Sequence, residues 1–141
     1  MIVVIRIGGL VQIPQDMEHS LFRMRLRRKF SATILEDNEA NRALLQKVRN
    51  HVAYGVIDKS TLVDLLIKRG KTITNKKISK MDAERIIEQL DKKSLKELGI
   101  KPFFRLHPPR GGIESKKHAG KDKGVLGDNK EKINELVRRM L

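Results

Sequence analysis

The amino-acid sequence predicts an α+β protein: a small βαβαβ core over residues 1–57, with a three-stranded, mainly antiparallel sheet and helices packed on one face, then a mostly helical extension over 58–141 that carries a basic loop. Three observations lead there. Ile2 to Ile7 is a nearly continuous β-branched run, as in a buried strand. Apolar residues then recur at helical spacing twice, each time followed by another short apolar run. Beyond Asp58 the pattern changes, and helix starts and stops dominate.

Each element has its own signal. Gly8-Gly9 stops the first strand. After Pro14, Met17, Leu21 and Met24 recur at helical spacing while Arg23, Arg27 and Lys29 point elsewhere, which predicts a helix from Asp16 to Arg28 with one strongly basic side. Ser31 to Leu35 reads as the second strand. Asp37 or Asn38 caps a second helix that turns Leu44, Leu45 and Val48 inward, and His51 to Ile57 gives the third strand.

In the extension, Asp58, Ser60 or Thr61 caps a helix bearing Leu62, Leu65 and Leu66, and Gly70 stops it. Lys71 to Lys80 is a loop or short hairpin. Ser79 or Asp82 opens a helix with Ile86, Ile87 and Leu90 on one face, and Ser94 with Glu97 has the capping-box spacing for one more turn, ended by Gly99. Phe103 to Leu106 suggests a strand, and the prolines and glycines of His107 to Gly112 forbid a regular element. The basic loop spans about 107–127; its Lys- and Gly-rich part, Glu114 to Gly127, has little to bury and is expected to order only against a partner. Asp128 caps a final helix, 128–141, with Ile133, Leu136, Val137 and Met140 as its apolar stripe.

Charge narrows the function. Thirty-one Lys and Arg stand against 17 Asp and Glu, a net charge of +14 with no acidic block to offset it. Such an excess points to a polyanionic partner, nucleic acid first, held by contacts that weaken as salt rises. The absence of cysteine removes disulfides and thiolate chemistry and suits a reducing cytoplasm. No apolar run approaches the ~20 residues that span a bilayer, and Arg6 interrupts the first apolar run too early for a signal core, so no membrane role is expected.

The candidates for chemistry are weak. His19, His51, His107 and His118 lie in four separate elements without metal-ligand spacing, and the acidic pairs Glu36-Asp37 and Asp82/Glu84 sit where helices begin, as the helix dipole favours. No catalytic group, cofactor, metal or small-molecule substrate is implied. Gly8-Gly9 lacks the spacing of a phosphate-binding loop, whereas Gly111-Gly112 beside Arg110, with Lys116, Lys117, Lys121 and Lys123 close behind, suits close approach to phosphates. Aromatic residues make up only 4% of the chain, too few for a base-stacking reader, so Phe22, Phe30, Phe103 and Phe104 are assigned to the core and recognition to the shape and backbone of folded RNA.

Several segments together resemble a known family. The strand with Arg6-Ile7-Gly8, the run Leu26-Arg27-Arg28-Lys29-Phe30, and Asn41-Arg42-Ala43-Leu44-Leu45-Gln46-Lys47-Val48 are similar to the core of the large-subunit ribosomal protein family called L-thirty. Tyr54-Gly55, Leu65 to Gly70, Pro109-Arg110-Gly111-Gly112 and Asn129 to Met140 resemble its long archaeal and eukaryotic form, although tryptophan is common where this chain has Tyr54. The resemblance implies a non-catalytic constituent of the large ribosomal subunit in the cytoplasm, bound to large-subunit ribosomal RNA near the 5S RNA and beside neighbouring ribosomal proteins. It also implies RNA contacts at Arg23, Arg25, Arg27, Arg28 and Lys29 on the first helix, at Arg42 and Lys47 on the second, and at Arg110, Lys116 and Lys117 in the basic loop. Two rival readings share the charge: a chromosomal or regulatory DNA-binding protein, and an RNA-processing enzyme.

Overall fold

The computed structural model describes residues 1–9, 13–90, 92–113, 115–118 and 124–141. Strand β1, Ile2–Arg6, is buried along its whole length and occupies the interior of the sheet. It pairs antiparallel with β2, Ser31–Leu35, on one side (Ile2 opposite Leu35) and with β3, Val52–Val56, on the other (Ile2 opposite Val56). Burial on both faces is why its sequence is continuous rather than alternating.

The sheet is wider than three strands. A two-residue strand β4, Phe104–Arg105, pairs antiparallel with β2, while β6, Gly124–Asp128, runs parallel to β3 and carries the parallel strand β5, Ser115–His118, on its outer side. The order is β4-β2-β1-β3-β6-β5, six strands in all. The expected loop from Glu114 to Gly127 therefore contributes two strands, and the extension is less helical than its periodicity suggests. Residues 119–123, with Lys121 and Lys123, lie outside the described residues, as does Glu114.

Helices cover both faces. On one, α1 (Gln15–Arg23) and α2 (Glu39–Val48) set Leu21, Leu45 and Val48 against Ile2, Val4, Val52 and Tyr54. On the other, α3 (Lys59–Arg69), α4 (Lys80–Gln89) and α5 (Ile133–Met140) bury Leu62, Leu65, Ile86 and Val137 against Val3, Ile5 and Ala53. The one-sided packing expected of the core holds for α1 and α2; the extension supplies the second layer, because the odd-numbered residues of β1 are as apolar as the even-numbered ones. The final helix is shorter than expected, with a 3-10 turn at Lys130–Lys132 before it. Ile133, Val137 and Met140 have no exposed surface, and full burial of each such side chain stabilises by about 1.5–3 kcal/mol.

Polar groups fix the junctions. Asn38 caps α2 by accepting from the Asn41 amide at 2.8 Å, and Ser79 caps α4 through the Asp82 amide at 3.3 Å. The buried Asn134 amide accepts from Asp58 N at 2.8 Å and donates to Val56 O and Glu131 O, tying α5 to the connection between β3 and α3. Gly55 lets the 3-10 turn close on β3: a Cβ there would overlap the Lys130 carbonyl oxygen and come within 2.8 Å of Ile133 Cγ2. Gly70 ends α3 at a negative φ of −71°, so what demands glycine is close approach: a Cβ there would overlap the Leu66 carbonyl oxygen and stand 2.7 Å from Ile78 Cδ1.

Candidate nucleic-acid interface

The basic run after Leu21 lies on a turn, where the sequence suggested a helix. Helix α1 ends at Arg23, and the Leu26 amide donates to Leu21 O at 2.9 Å while the Arg25 amide donates to Phe22 O at 3.0 Å. That pair of bonds is a Schellman stop, sealed by contact between the buried Leu21 and Leu26. The residue it places in the left-handed region is Arg25, at φ 62°, where glycine is the usual choice and another residue costs roughly 1–2 kcal/mol. Phe30, at φ 65°, reverses the chain again before β2. Arg25, Arg27, Arg28 and Lys29 are exposed along this turn, and Arg23 is exposed on the last turn of α1.

A buried cation braces the turn from below. Arg6 points to the same side of the sheet as Ile2 and Val4 and has no exposed surface. Its Nη1 donates to Leu26 O at 2.6 Å, its Nη2 to Gly9 O at 3.2 Å and its Nε to Gly8 O at 3.3 Å, while its own carbonyl accepts from the Phe30 amide at 2.7 Å. Burial lowers the Arg6 pKa, and the charge of Glu18 opposes that shift in part. The sequence offered one sign of this role, a lone Arg inside an apolar strand.

Aromatic placement differs from expectation at Phe22. Phe104 is fully buried and Phe30 half-buried, but Phe22 is 39% exposed, with the Arg27 guanidinium 5.8 Å from its ring centre. Lys29 stands 5.1 Å from the ring centre of Phe30. Two of the four phenylalanines thus orient cations on the turn.

The other expected contacts fall elsewhere. Arg42 makes a two-pronged ion pair with Asp37, at 2.5 and 2.9 Å, which holds the Asp37 carboxyl below its usual pKa and raises that of Arg42. Its charge is already shared. Lys47 is exposed near the end of α2, on a different flank of that helix from Arg42. Lys116 and Lys117 lie on β5 at the outer edge of the sheet, with β1, β3 and β6 between them and β2, so roughly 19 Å of sheet separates β5 from β2 at about 4.8 Å per strand.

Arg110 sits on a loop that α5 holds in place. The Arg110 amide donates to Arg139 O at 3.0 Å, the Arg139 Nε returns a bond to Arg110 O at 3.0 Å, and Arg139 Nη2 also reaches Gly112 O. Gly111 and Gly112 have φ of 80° and 73°, which only glycine adopts readily. Lys132, Arg138 and Arg139 share a groove with Arg110, although Arg138 is paired with Asp64 at 2.7 Å. Sequence reasoning missed Arg139, whose signal is a basic residue in the last turn of an amphipathic helix.

Fold and surface define a basic α/β protein whose cations stand on main chain fixed from within. The model of the ribosomal protein L30p/L7e family matches residues 2–52. Relatives named large ribosomal subunit protein uL30 align along the chain: those of Aeropyrum pernix, Staphylothermus marinus and Nanoarchaeum equitans are 38%, 36% and 37% identical, each over 98% of this chain and 96–97% of the relative. The chain belongs to the L30p/L7e family.

Proposed function

We propose that this protein is a structural constituent of the large ribosomal subunit in the cytoplasm, with no catalytic role, and that it binds folded ribosomal RNA through its basic surfaces. The observation that carries this reading is alignment over 98% of the chain to proteins bearing the name large ribosomal subunit protein uL30. The net charge of +14 supports it independently. Family membership displaces the two rivals, a DNA-binding regulator and an RNA-processing enzyme.

The finer assignments extend this reading. The turn carrying Arg25, Arg27, Arg28 and Lys29, with Arg23 before it, is the principal RNA-binding element, supported by its exposure and by the fixed main chain beneath it. Arg110 forms a second contact, presented by Arg139. Lys47, Lys116 and Lys117 add charge elsewhere, and Arg42 engages phosphate in competition with Asp37. The RNA lies near the 5S RNA, and neighbouring ribosomal proteins complete the surroundings. Residues 1–57 act as the RNA-binding core and 58–141 as an extension that widens the bound surface.

Sedimentation of cell extract through sucrose at low and moderate salt tests the reading. Co-migration with the large subunit at both salts is expected; a free or DNA-associated pool would overturn it.

A further inference from the structure

We propose that the cleft between the end of α1 and the turn following α4 is a binding site for the phosphates of an RNA backbone, with Arg23 and Arg25 on one wall and Lys93 and Lys96 on the other. The proposal rests on the RNA-binding reading above and adds to it a site built jointly by the first helix and the extension, with two lysines that no resemblance brought forward.

The cleft has a volume of about 220 Å³, room for a phosphodiester group with its ribose. Its four cations face one carboxylate, Glu36, among the described residues that line it. Leu90 and Leu95 form part of its floor and are buried, so the charges stand over a low-dielectric wall that strengthens their field. The walls come from segments far apart in the sequence, brought together because α4 and the turn after it pack on the core beside β2. Four cationic residues line one cleft, and an anion placed in it would be attracted by all of them.

Arg25 is the second observation. It holds the left-handed position of the Schellman stop, where glycine would form the same two bonds without strain. Its guanidinium makes no hydrogen bond or ion pair to any other described residue. Residues held in sparsely populated backbone regions concentrate where function requires the side chain. The cleft supplies that requirement: from the left-handed position Arg25 lines it with Arg23.

The test uses the full chain and large-subunit ribosomal RNA transcribed from the source genome. Thermal melting and RNA affinity across a salt series are measured for wild type, R25G, R25K and the double variant K93A/K96A. R25G is expected to melt no lower than wild type yet bind several-fold more weakly at 0.15 M salt, with R25K recovering most of the loss. K93A/K96A is expected to weaken binding and flatten the log–log salt slope by up to ~0.7–0.9 for each phosphate no longer neutralised. Wild type that binds while R25G and K93A/K96A bind equally well overturns this inference alone. Wild type that fails to bind the RNA overturns the reading beneath it as well. Preference of the cleft for a polyglutamate peptide over RNA would make it a protein-docking site and also overturn the proposal.

Discussion

The guanidinium of Arg6 donates to the carbonyl oxygen of Leu26 at 2.6 Å, joining the central strand to the turn that carries the densest positive charge of the molecule. The bond runs between a wholly buried cation and a main-chain acceptor, so the surface turn takes its shape from the interior. Leu26 is itself fully buried, and its exposed neighbours Arg25 and Arg27 are held by the same stretch of main chain.

Replacing Arg6 by Met keeps the bulk and removes every donor, leaving Leu26 O without its buried partner. Arg6→Met is expected to destabilise the protein by about 1–3 kcal/mol, read from the midpoint of denaturant unfolding. His51 offers a second readout, since burial and then the Arg6 charge hold its pKa below the ordinary value. The variant should raise the His51 pKa, measured by NMR titration; an unmoved pKa would show that burial alone sets it. A histidine shifted down contributes stability that is present above its unfolded pKa of about 6.5 and lost as pH falls through the folded value.

The exposed turn can be stripped of charge without touching its brace. Arg27, Arg28 and Lys29 changed together to alanine should leave the fold intact, weaken RNA binding, and reduce the magnitude of the salt slope by up to ~0.7–0.9 per phosphate released from neutralisation. An unchanged slope would assign the RNA to another face.

The ion pair of Asp37 and Arg42 makes a prediction of opposite sign. Asp37→Asn frees the Arg42 charge and should tighten RNA binding, whereas Arg42→Ala should loosen it; equal effects of the two would exclude this helix from the interface. The carboxyl of Asp37 is held low by Arg42, so any stability it adds is present above the unfolded value of about 3.9 and lost as pH falls through the lower folded value. Both partners are exposed, and added salt should erase the effect.

At Gly55 the extension closes tightly on the core. Gly55→Ala forces a methyl group into the Lys130 carbonyl and the Ile133 side chain, and a loss of about 1–3 kcal/mol is expected from overpacking. Thermal melting checks it, and a melting temperature equal to wild type would mean that the 3-10 turn yields freely.

The parts of the fold legible in the sequence are those with strong periodic or capping signals. Ile2 to Ile7 reads as a buried strand because it is short, nearly continuous in β-branched residues and stopped by Gly8-Gly9, and Asn38 and Ser79 announce their helices because their side chains satisfy amides that would otherwise lack partners. The strands at the margins escape notice. Phe104–Arg105 is too short to show a period, and Ser115–His118, with the sequence SKKH, has no apolar face to display. The cationic cluster at Arg25 to Lys29 is visible as a charge run. Its shape is hidden, since a helix that stops on arginine shows neither the glycine nor the proline that usually marks an end. Arg6 is visible as a letter out of place, and only the sheet shows that it points at Leu26.

Helix α5 carries Ile133, Val137 and Met140 into the face formed by Val3, Ile5 and Ala53, and its main chain at Arg139 and Met140 accepts from the amides of Arg110 and His107. During synthesis these residues emerge after every strand they cover. The nascent chain therefore travels with that side of its sheet covered by α3 and α4 but not yet by α5, and with the Arg110 loop unanchored, and stalled chains that end before Ile133 should bind more of an apolar dye than chains that include α5. Translation order thus makes a strongly cationic protein wait for α5 before it can finish hiding its oily side.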